Sequence, residues 1–515
     1  MIRRGPGPLL RLAAALALLA ACPAPRRPSA DAAAGRVIEL GRPGASLAGV
    51  AARGATLFAS LGTARPRATS TIEAFTPGAS APIWRAHLAG FNGPLAVSGS
   101  LVIAALGGTG SVGPLSNAAP AGAASARAPA AAAAADPAAA PAADPAAAAA
   151  AAPAADPAAA AAPTPAPAAA PAPAAAPAPS ASARGPRSTP LALRGDPGAA
   201  LVALDATTGA VGWTLAIDAT EWATISALAA TTDGVIVGGS FSGTLRIADK
   251  IVSSAGRSDG FVARITTTGT IAWLLRVGGP YGDSVAAVAA SGDHIAIAGT
   301  CATGAELLGQ TLPVFDERSP HVDAFVAELD PAGTLRWSQT FGGEADEAVA
   351  GVAIDAAGRV IVAATVRDTV HLGGADYVAS GPAAGLVAWY APGGGAATAV
   401  LLGGAELAGL RAITAVGDHV VVAGFYSGSL RLGDRTLAAG GGDDAYVAEL
   451  AAGGAVVRAW PISGDGREEV TALASIPGGF VAGIAHSATA RVGDDKLASP
   501  ADPMSGAALL VRSLR

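Results

Sequence analysis

The sequence predicts an all-β protein, a seven-bladed β-propeller of four-stranded antiparallel blades that carries a disordered Ala/Pro-rich loop insertion. Three observations lead to this fold class. A two-part unit recurs about every 60 residues, each part joins apolar strands through Gly-bearing turns, and no helical segment separates the units. Radial repetition of such units leaves only short, protected sheet edges, which is the form of a propeller.

The first part of each unit is an apolar hairpin, in which a strand of small residues and a turn precede a strand rich in Val and Ile. Small side chains let strands pack closely near a common axis, so we expect this hairpin to form the inner strands of a blade. The seven copies begin at Leu47, Leu95, Ile225, Val285, Val349, Leu410 and Val470.

The second part of each unit is a strand, a Gly-bearing turn and a strand that usually carries Trp. Full copies begin at Ile72, Leu201, Phe261, Phe325, Leu386 and Tyr446, and a shortened seventh copy begins at Leu509. The shortened copy lacks its outermost strand. The apolar segment at residues 36–40 (RVIEL) lies before the first hairpin, so we expect it to supply that strand and close the ring.

Several units insert a third, shorter segment between the two parts, of the form Gly-x-Leu-x-Leu-Gly. Examples are GTLRIAD from Gly243 and GSLRLGD from Gly428. An acidic residue often opens the aromatic part, as in DGFVARI, DAFVAEL and DAYVAEL, and a Gly pair often ends it, at residues 278–279 and 342–343.

This combined pattern resembles the bacterial SBBP β-propeller repeat, well over residues 195–515 and weakly over residues 36–110. The segment ALDATTGAVGW, which ends at Trp213, is also similar to the repeat of pyrroloquinoline-quinone-type propellers. That resemblance implies that the tryptophan locks one blade to the next. The Trp and Gly positions of both repeats are structural, so neither resemblance implies an activity or a cofactor.

The N-terminus has the features of an export signal. Residues 1–21 join an Arg-containing start to an apolar stretch that is too short to span a bilayer. Leu19, Ala20, Ala21 and Cys22 match the lipobox of bacterial lipoproteins, and this resemblance implies that Cys22 becomes the acylated first residue of the mature chain. Pro23 follows the cysteine, where an Asp would favour the inner membrane, so we expect lipid anchoring in the outer membrane, facing either the periplasm or the exterior.

The domain organisation follows from these segments. We expect a lipoprotein signal peptide over residues 1–21, an N-terminal tether over 22–35, and propeller over 36–115 and 188–515. Between the propeller parts, residues 116–187 are almost wholly Ala and Pro, a composition that cannot bury a core. Removing them restores the spacing of the repeats, so this stretch is an insertion within one blade. It is either an arm that displays the propeller or a neutrally expanded repeat tract.

Composition excludes several classes of protein. The formal net charge is −6, the basic residues that remain after removal of the leader form no patch, and nucleic acid is therefore not an expected partner. Cys301 is the only cysteine besides Cys22, which leaves no disulfide within the mature chain, and we expect Cys301 to be a small buried residue at a strand end. A closed propeller covers its own edges, so we expect a monomer.

No residue pattern indicates catalysis. The sequence has no HExxH motif, Walker loop or EF-hand loop, and it predicts no catalytic residues, no metal site and no cofactor. The strongest candidate for binding is a partial ring of acids, Asp283, Glu347 and Glu468, each two residues before the inner strand of its unit. We expect them at the mouth of the central channel, where they would bind a cation or basic group or, alternatively, accept backbone hydrogen bonds in a turn.

The sequence thus favours a lipid-anchored cell-envelope propeller that acts as a non-catalytic interaction module for a protein or a glycan. Two alternatives remain. One is a propeller enzyme, either quinoprotein-like or acting on polysaccharides. The other is a factor that assists outer-membrane assembly.

Overall fold

The computed structural model describes residues 36–40, 46–63, 69–76, 81–108, 111–117, 191–192, 198–318, 321–395, 397–404, 406–493, 495–498 and 506–514. Every regular element in these ranges is a β-strand, and none of the described residues forms a helix that could cross a membrane. Strand pairing arranges the elements as seven antiparallel blades, which confirms the predicted fold class. The leader and Cys22 lie outside the described residues, as does most of the predicted insertion.

The strands follow the chain in repeating order. The first is β1 (Arg36–Glu39). The first unit adds β2 (Ser46–Arg53), β3 (Thr56–Thr63), β4 (Thr69–Phe75) and β5 (Trp84–Ala89). The second has β6 (Phe91–Ser98), β7 (Leu101–Gly108), β8 (Ser111–Asn117), β9 (Leu191–Ala192), β10 (Gly198–Asp205) and β11 (Val211–Ala219).

The third unit has β12 (Trp222–Thr231), β13 (Gly234–Ser242), β14 (Thr244–Ile247), β15 (Lys250–Ser253), β16 (Asp259–Thr266) and β17 (Ile271–Gly278). The fourth has β18 (Ser284–Ser291), β19 (His294–Cys301), β20 (Glu306–Leu307), β21 (Gln310–Thr311), β22 (Asp323–Leu329) and β23 (Leu335–Gly343). The fifth has β24 (Ala348–Ile354), β25 (Val360–Val366), β26 (Thr369–Leu372), β27 (Ala375–Val378), β28 (Ala384–Tyr390) and β29 (Ala397–Leu402).

The sixth unit has β30 (Ala408–Val416), β31 (His419–Tyr426), β32 (Ser429–Leu432), β33 (Arg435–Ala438), β34 (Asp444–Leu450) and β35 (Val456–Gly464). The seventh has β36 (Glu468–Ile476), β37 (Gly479–His486), β38 (Ala490–Val492), β39 (Asp495–Leu497) and β40 (Gly506–Ser513). Strands β38 and β39 pair with each other and form the short hairpin of this unit.

The ring closes where the sequence analysis expected it to close. Strand β1 pairs antiparallel with β40 in the order β1-β40-β37-β36, so the start of the described chain supplies the outermost strand of the seventh blade. Ile38 and Leu40 are buried there against Leu47 and Leu509, which ties the first and last units into one hydrophobic cluster.

In the second to seventh units, the short third segment forms a hairpin that lies on the preceding blade. In the fourth blade, for example, β26 of the fifth unit extends β23, and β27 then forms the edge. Hairpins lie in the same way on the first, second, third and sixth blades, and a single bridge between Gly403 and Arg431 joins the fifth blade to its hairpin. These six units therefore hold their neighbours through backbone pairing as well as side-chain packing.

The Trp residues supply a second link between blades. Three of the indole N–H groups donate to carbonyl oxygens in the next blade: Trp84 to Ala206 (3.0 Å), Trp213 to Thr267 (2.8 Å) and Trp273 to Pro331 (3.0 Å). The turns that accept these bonds contain glycines at positive φ, which lie directly against the indole rings. A Cβ atom at these positions would collide with the indole, so glycine is needed for this contact. This blade-to-blade contact agrees with the structural role that the resemblance implied for Trp213.

The propeller has two faces, which we name by the chain segments that form them. The turn face carries the turns between first and second strands and between third and fourth strands of each blade. The connector face carries the loops between second and third strands and the segments that lead to the next blade. Strand β9 follows β8 after the gap at residues 118–190 and pairs with it, so most of the predicted insertion at residues 116–187 falls between the two strands of this hairpin.

Candidate functional site

The central channel is lined by the first strand of every blade. Two adjoining cavities of about 360 Å³ and about 240 Å³ occupy it. Their walls are small and apolar, with Ala, Val, Leu and Ile at most positions and a few Ser and Thr residues. Within the described chain, no Asp, Glu, His, Lys or Arg contributes to these walls. The channel therefore lacks the charged groups that the sequence analysis expected at its mouth.

The three acids of the predicted ring lie elsewhere. Asp283, Glu347 and Glu468 are exposed by only 2%, 2% and 1%, and they pack between neighbouring blades. Their burial follows from the backbone, since each N–H donates to the carbonyl that precedes the third strand of the previous blade. These bonds run from Asp283 to Ser258 (2.8 Å), from Glu347 to Val322 (3.2 Å) and from Glu468 to Asp443 (3.0 Å). The predicted location at the channel mouth is thus corrected to the interfaces between blades.

At each of these interfaces the acid faces a second buried acid. The partner is the Asp that opens the third strand of the previous blade, and the two carboxyl groups repel one another electrostatically. The pairs are Asp259 with Asp283 (third and fourth blades), Asp323 with Glu347 (fourth and fifth) and Asp444 with Glu468 (sixth and seventh). The sequence analysis noted both sets of acids but did not bring them together.

The first pair is satisfied by the protein. Asp283 accepts backbone hydrogen bonds from Gly279 (2.8 Å) and Ala302 (2.7 Å), which is the turn role that the sequence analysis left open. Asp259 accepts a charge-assisted bond from Arg276 (2.9 Å) and a bond from the N–H of Ala255 (3.0 Å). Burial raises the pKa of both carboxyls, and the Arg276 guanidinium opposes that rise.

The second pair is only half satisfied. Asp323 accepts a hydrogen bond from the N–H of Phe315, whereas both Glu347 oxygens are buried without a well-formed hydrogen bond. Burial, followed by the charges of Asp323 and Asp346, raises the pKa of Glu347 to about 8, although the Gly343 N–H and Arg367 lower it weakly. At neutral pH the Glu347 carboxyl therefore holds a proton.

The third pair is the least satisfied. Asp444 accepts one hydrogen bond, from the N–H of Gly440 (2.6 Å). Its other oxygen and both oxygens of Glu468 are buried without a well-formed hydrogen bond, although the two carboxyl groups lie close enough to hydrogen-bond each other and the Gly464 N–H approaches both. Burial raises the pKa of Glu468 to about 8, with further contributions from Asp444 and Asp465. Burial raises the pKa of Tyr426 to about 12, with contributions from the charges of Asp444 and Glu468.

The Gly pairs noted in the sequence make room for these contacts. A Cβ atom on Gly278 would lie 2.8 Å from the carboxyl carbon of Asp259, and one on Gly342 would collide with Asp323. The second glycine of each pair, Gly279 or Gly343, faces a carbonyl oxygen of the hairpin that docks on that blade. One glycine thus accommodates the acid and the other accommodates the hairpin.

The interface between the fifth and sixth blades has the same backbone without the acids. Ala408 donates its N–H to the carbonyl of Ala383 (3.3 Å), and Ala384 and Ala408 occupy the two acid positions, both buried. Between the second and third blades, Gly198 and Ala223 take these positions. At these five interfaces, the two positions therefore hold either two acids or two small apolar residues.

Two buried glutamates on the turn-face side were missed by the sequence analysis. Glu328 accepts bonds from His294 (2.6 Å), Arg336 (2.8 Å) and Trp337 (2.7 Å), and these bonds lower its pKa against the effect of burial. Glu449 accepts an equivalent bond from His419 (2.6 Å). The repeated occurrence of Gly-Asp-His turns and Val-Ala-Glu-Leu strands in the same units could have predicted these contacts.

Side chains that could hold a metal do not gather in larger groups. Across the residues that the structure describes, no cluster of three or more His, Cys, Asp or Glu side chains has a geometry ready for a metal ion. Cys301 is fully buried at the end of β19, as expected, and burial raises the pKa of its thiol. Its sulfur is therefore a protonated core group.

The connector face carries exposed aromatic side chains. Phe315 is 47% exposed and stacks on His371, with 4.2 Å between ring centroids and 7° between ring planes. His371 is held by Asp376, whose oxygen lies 2.7 Å from the imidazole Nδ1. Tyr281, on a connector of the same face, is 54% exposed. These rings present flat apolar surfaces next to polar groups.

Fold and site together define a seven-bladed propeller with carboxyl pairs between blades and exposed aromatic rings on one face. No family model and no curated protein matches the sequence. Among solved structures, BamB from Moraxella catarrhalis is 12% identical, with a TM-score of 0.36 over 90% of this chain and 84% of that chain. An ulvan lyase of polysaccharide lyase family PL25 is 10% identical, with a TM-score of 0.39 over 94% of this chain and 96% of that chain. The same lyase bound to -[GlcA(1-4)Rha3S]- gives a TM-score of 0.36 at the same identity and coverage.

Proposed function

We propose that this protein is a lipid-anchored propeller of the cell envelope that binds a glycan on its connector face without catalysing a reaction. The observation that carries this proposal is the exposed Phe315–His371 stack with Asp376 beside it. A flat ring offers its face to the C–H groups of a sugar, while a neighbouring carboxylate and imidazole can accept or donate hydrogen bonds to hydroxyl groups.

The lipid anchor rests on the lipobox at Leu19, Ala20, Ala21 and Cys22. Two or more acyl chains on Cys22 would hold the protein on a bilayer essentially permanently. Strand β1 pairs Arg36 with Val511 near the turn-face end of β40, so the tether enters the propeller from the turn face. The roughly 14 residues between Cys22 and Arg36 reach about 50 Å at most, which leaves the connector face free to turn away from the membrane.

The anchor is tested by metabolic labelling with a palmitate analogue. We expect the wild-type protein to be labelled and to sediment with outer membranes, and Cys22→Ser to lose both properties while the propeller still folds. Labelling of Cys22→Ser, or sedimentation that does not change, would rule out this anchor.

Glycan binding is tested with purified envelope and capsular polysaccharides immobilised on beads. Phe315→Ala and Tyr281→Ala should each weaken retention about tenfold, the worth of one aromatic contact. Ile83→Ala is the matched control, because Ile83 is a large apolar side chain of similar exposure (45%) on the turn face. Equal losses in all three variants would reject this face, and retention of proteins but not of glycans would replace the glycan with a protein partner.

A further inference from the structure

The buried carboxyl pairs pose an electrostatic problem that this protein solves in different ways. Two carboxylates brought together away from water repel each other and lose their hydration, a cost of several kcal/mol per ion by general estimates. Either a cation or a proton must compensate. At the interface of the third and fourth blades the compensating cation is Arg276, 2.9 Å from Asp259.

The other two pairs lack this arginine. Arg276 stands opposite Phe261 in the sheet, and the residues in the equivalent positions are Thr340, opposite Phe325, and Pro461, opposite Tyr446. Neither can neutralise a carboxylate. Near Glu347 the exposed Arg367 supplies part of the missing charge. Near Glu468 the largest electrostatic contributions come from the acids Asp444 and Asp465, and the neighbouring Arg467 is exposed.

The Asp444–Glu468 pair is therefore the clearest unbalanced site in the described chain. Three of its four carboxyl oxygens are buried without a well-formed hydrogen bond, and the two carboxyl groups and the Gly464 N–H supply the polar contacts around them. Among the titratable groups that face the pair, Asp443 and Asp465 add negative charge and the Tyr426 hydroxyl is neutral.

The local backbone brings further oxygen atoms close to this site. A Cβ atom on Gly464 would lie 2.8 Å from Glu468 Oε1 and would collide with the carbonyl oxygen of Thr489. Glycine at this position therefore lets a carboxylate oxygen and a carbonyl oxygen approach the same region. Oxygen-only surroundings of irregular geometry suit Ca²⁺, which accepts carboxylates, carbonyls and water in a flexible shell, better than the strict octahedron of Mg²⁺.

We propose that Asp444 and Glu468 bind a calcium-class divalent cation between the sixth and seventh blades. The cation neutralises the buried carboxylates here, as Arg276 does between the third and fourth blades. It joins the sixth blade to the seventh, which is the blade that β1 closes. This site is independent of the glycan surface proposed above.

A purely structural role does not account for this pair. The interface between the fifth and sixth blades forms the same backbone hydrogen bond with Ala384 and Ala408 in place of the acids. The fold can therefore be built without carboxylates at these positions. Their presence adds a cost that a bound cation would offset.

The test uses the full-length protein, stripped with a chelator and then titrated with CaCl₂ at pH 8. We expect the melting temperature to rise by about 5 °C at millimolar Ca²⁺, because the ion binds only the folded state. Isothermal titration should show a site at which MgCl₂ binds more weakly. Glu468→Gln, which mimics the protonated acid and keeps its shape, should weaken Ca²⁺ binding at least tenfold, an effect on the order of one lost ligand charge.

Asp259→Asn is the matched control, since it removes the acid at the same strand position next to Arg276 and should leave the response to Ca²⁺ intact. In chelator, Glu468→Gln should melt at or above the wild-type temperature, which shows that the variant is folded. The proposal is overturned if Ca²⁺ changes neither melting nor heat, or if Glu468→Gln responds to Ca²⁺ as the wild type does. A proton shared within the pair would then be the only compensation.

Discussion

The interface between the fifth and sixth blades and the one between the sixth and seventh blades share a backbone and differ in chemistry. In both, an N–H at the start of an inner strand donates to a carbonyl of the previous blade, at 3.3 Å for Ala408 and 3.0 Å for Glu468. The first interface is closed by two Ala side chains and the second by two carboxyl groups with almost no hydrogen bonds. The acids are therefore not what makes these blades pack.

The interface between the third and fourth blades lies between these extremes. It keeps both acids, Asp259 and Asp283, but pairs them with Arg276 and with backbone N–H groups. One scaffold thus occurs with no charge, with balanced charge and with unbalanced charge. Charge at this position is therefore separable from the fold, and substitutions at each of the three interfaces can add or remove it.

The largest effect is expected when charge is introduced into the apolar interface. Ala384→Asp combined with Ala408→Glu should destabilise the protein by about 5 kcal/mol at pH 8 in chelator, because two carboxylates would be buried without a cation. Denaturant unfolding measures this loss. The neutral pair Ala384→Asn with Ala408→Gln has nearly the same volume and should cost less. Equal losses for the two double variants would mean that volume, rather than charge, sets the cost.

Removing the resident cation should have the next largest effect. Arg276→Met leaves Asp259 buried beside Asp283 without its guanidinium, and we expect a loss of about 3 kcal/mol at pH 8. Asp259→Asn in the same chain should restore part of that stability, because the charge that needed compensation is gone. Additive losses in the double variant would show that the ion pair contributes nothing to stability.

The pH dependence of stability tests the half-satisfied pair. The pKa of Glu347 is about 8 in the folded protein against 4.5 for a free side chain, so the folded state binds this proton more tightly. Its contribution to stability is therefore fully present below pH 4.5 and is lost as the pH rises to about 8. Glu347→Gln should remove this decline and, at pH 8.5 in chelator, should exceed the wild type by about 2 kcal/mol.

The groups that face Glu347, namely Asp323, Asp346 and Arg367, stay in place in that variant. Glu344→Gln is the control, because Glu344 is an exposed acid in the same connector and should keep the wild-type pH profile. A wild-type stability that does not change between pH 5 and pH 8.5 would contradict the raised pKa.

The smallest effect is expected at the rim of the unbalanced pair. Asp465 is exposed, so Asp465→Asn should change stability by less than about 0.5 kcal/mol in chelator. It should still weaken Ca²⁺ binding by about twofold through its effect on the local field, as measured by calorimetry. A loss of Ca²⁺ affinity as large as that of Glu468→Gln would place Asp465 among the direct ligands and would change the proposed ligand set.

Much of the architecture could be predicted from the sequence because repeats report it directly. The hairpins at Leu47 through Val470 and the aromatic strands appear as seven units, and the unpaired strand at residues 36–40 matches the missing strand at the end of the chain. Hydrophobic patterning and turn residues act over short distances, so one unit predicts its own strands.

The docking of each hairpin on the previous blade was not predicted. The segment from Thr369, for example, follows β25 in the chain yet pairs with β23 of the blade before it. Local pattern cannot show this, because the partner is chosen by the free edge of the neighbouring sheet. For the same reason, the acids of the predicted ring were assigned to the channel when they lie between blades.

The number of units, their strands, the closing strand and the small apolar residues near the axis could be predicted from the sequence. Each of these features depends on local patterning that is repeated along the chain. Three contacts became apparent only in the tertiary structure: Asp444 with Glu468, Arg276 with Asp259, and Ala384 with Ala408. The two acids and the two alanines come from different units, whereas Arg276 and Asp259 lie on neighbouring strands of one unit, and the interactions of all three pairs depend on distances at an interface between blades. Such distances exist only once neighbouring blades have packed and water has been excluded between them.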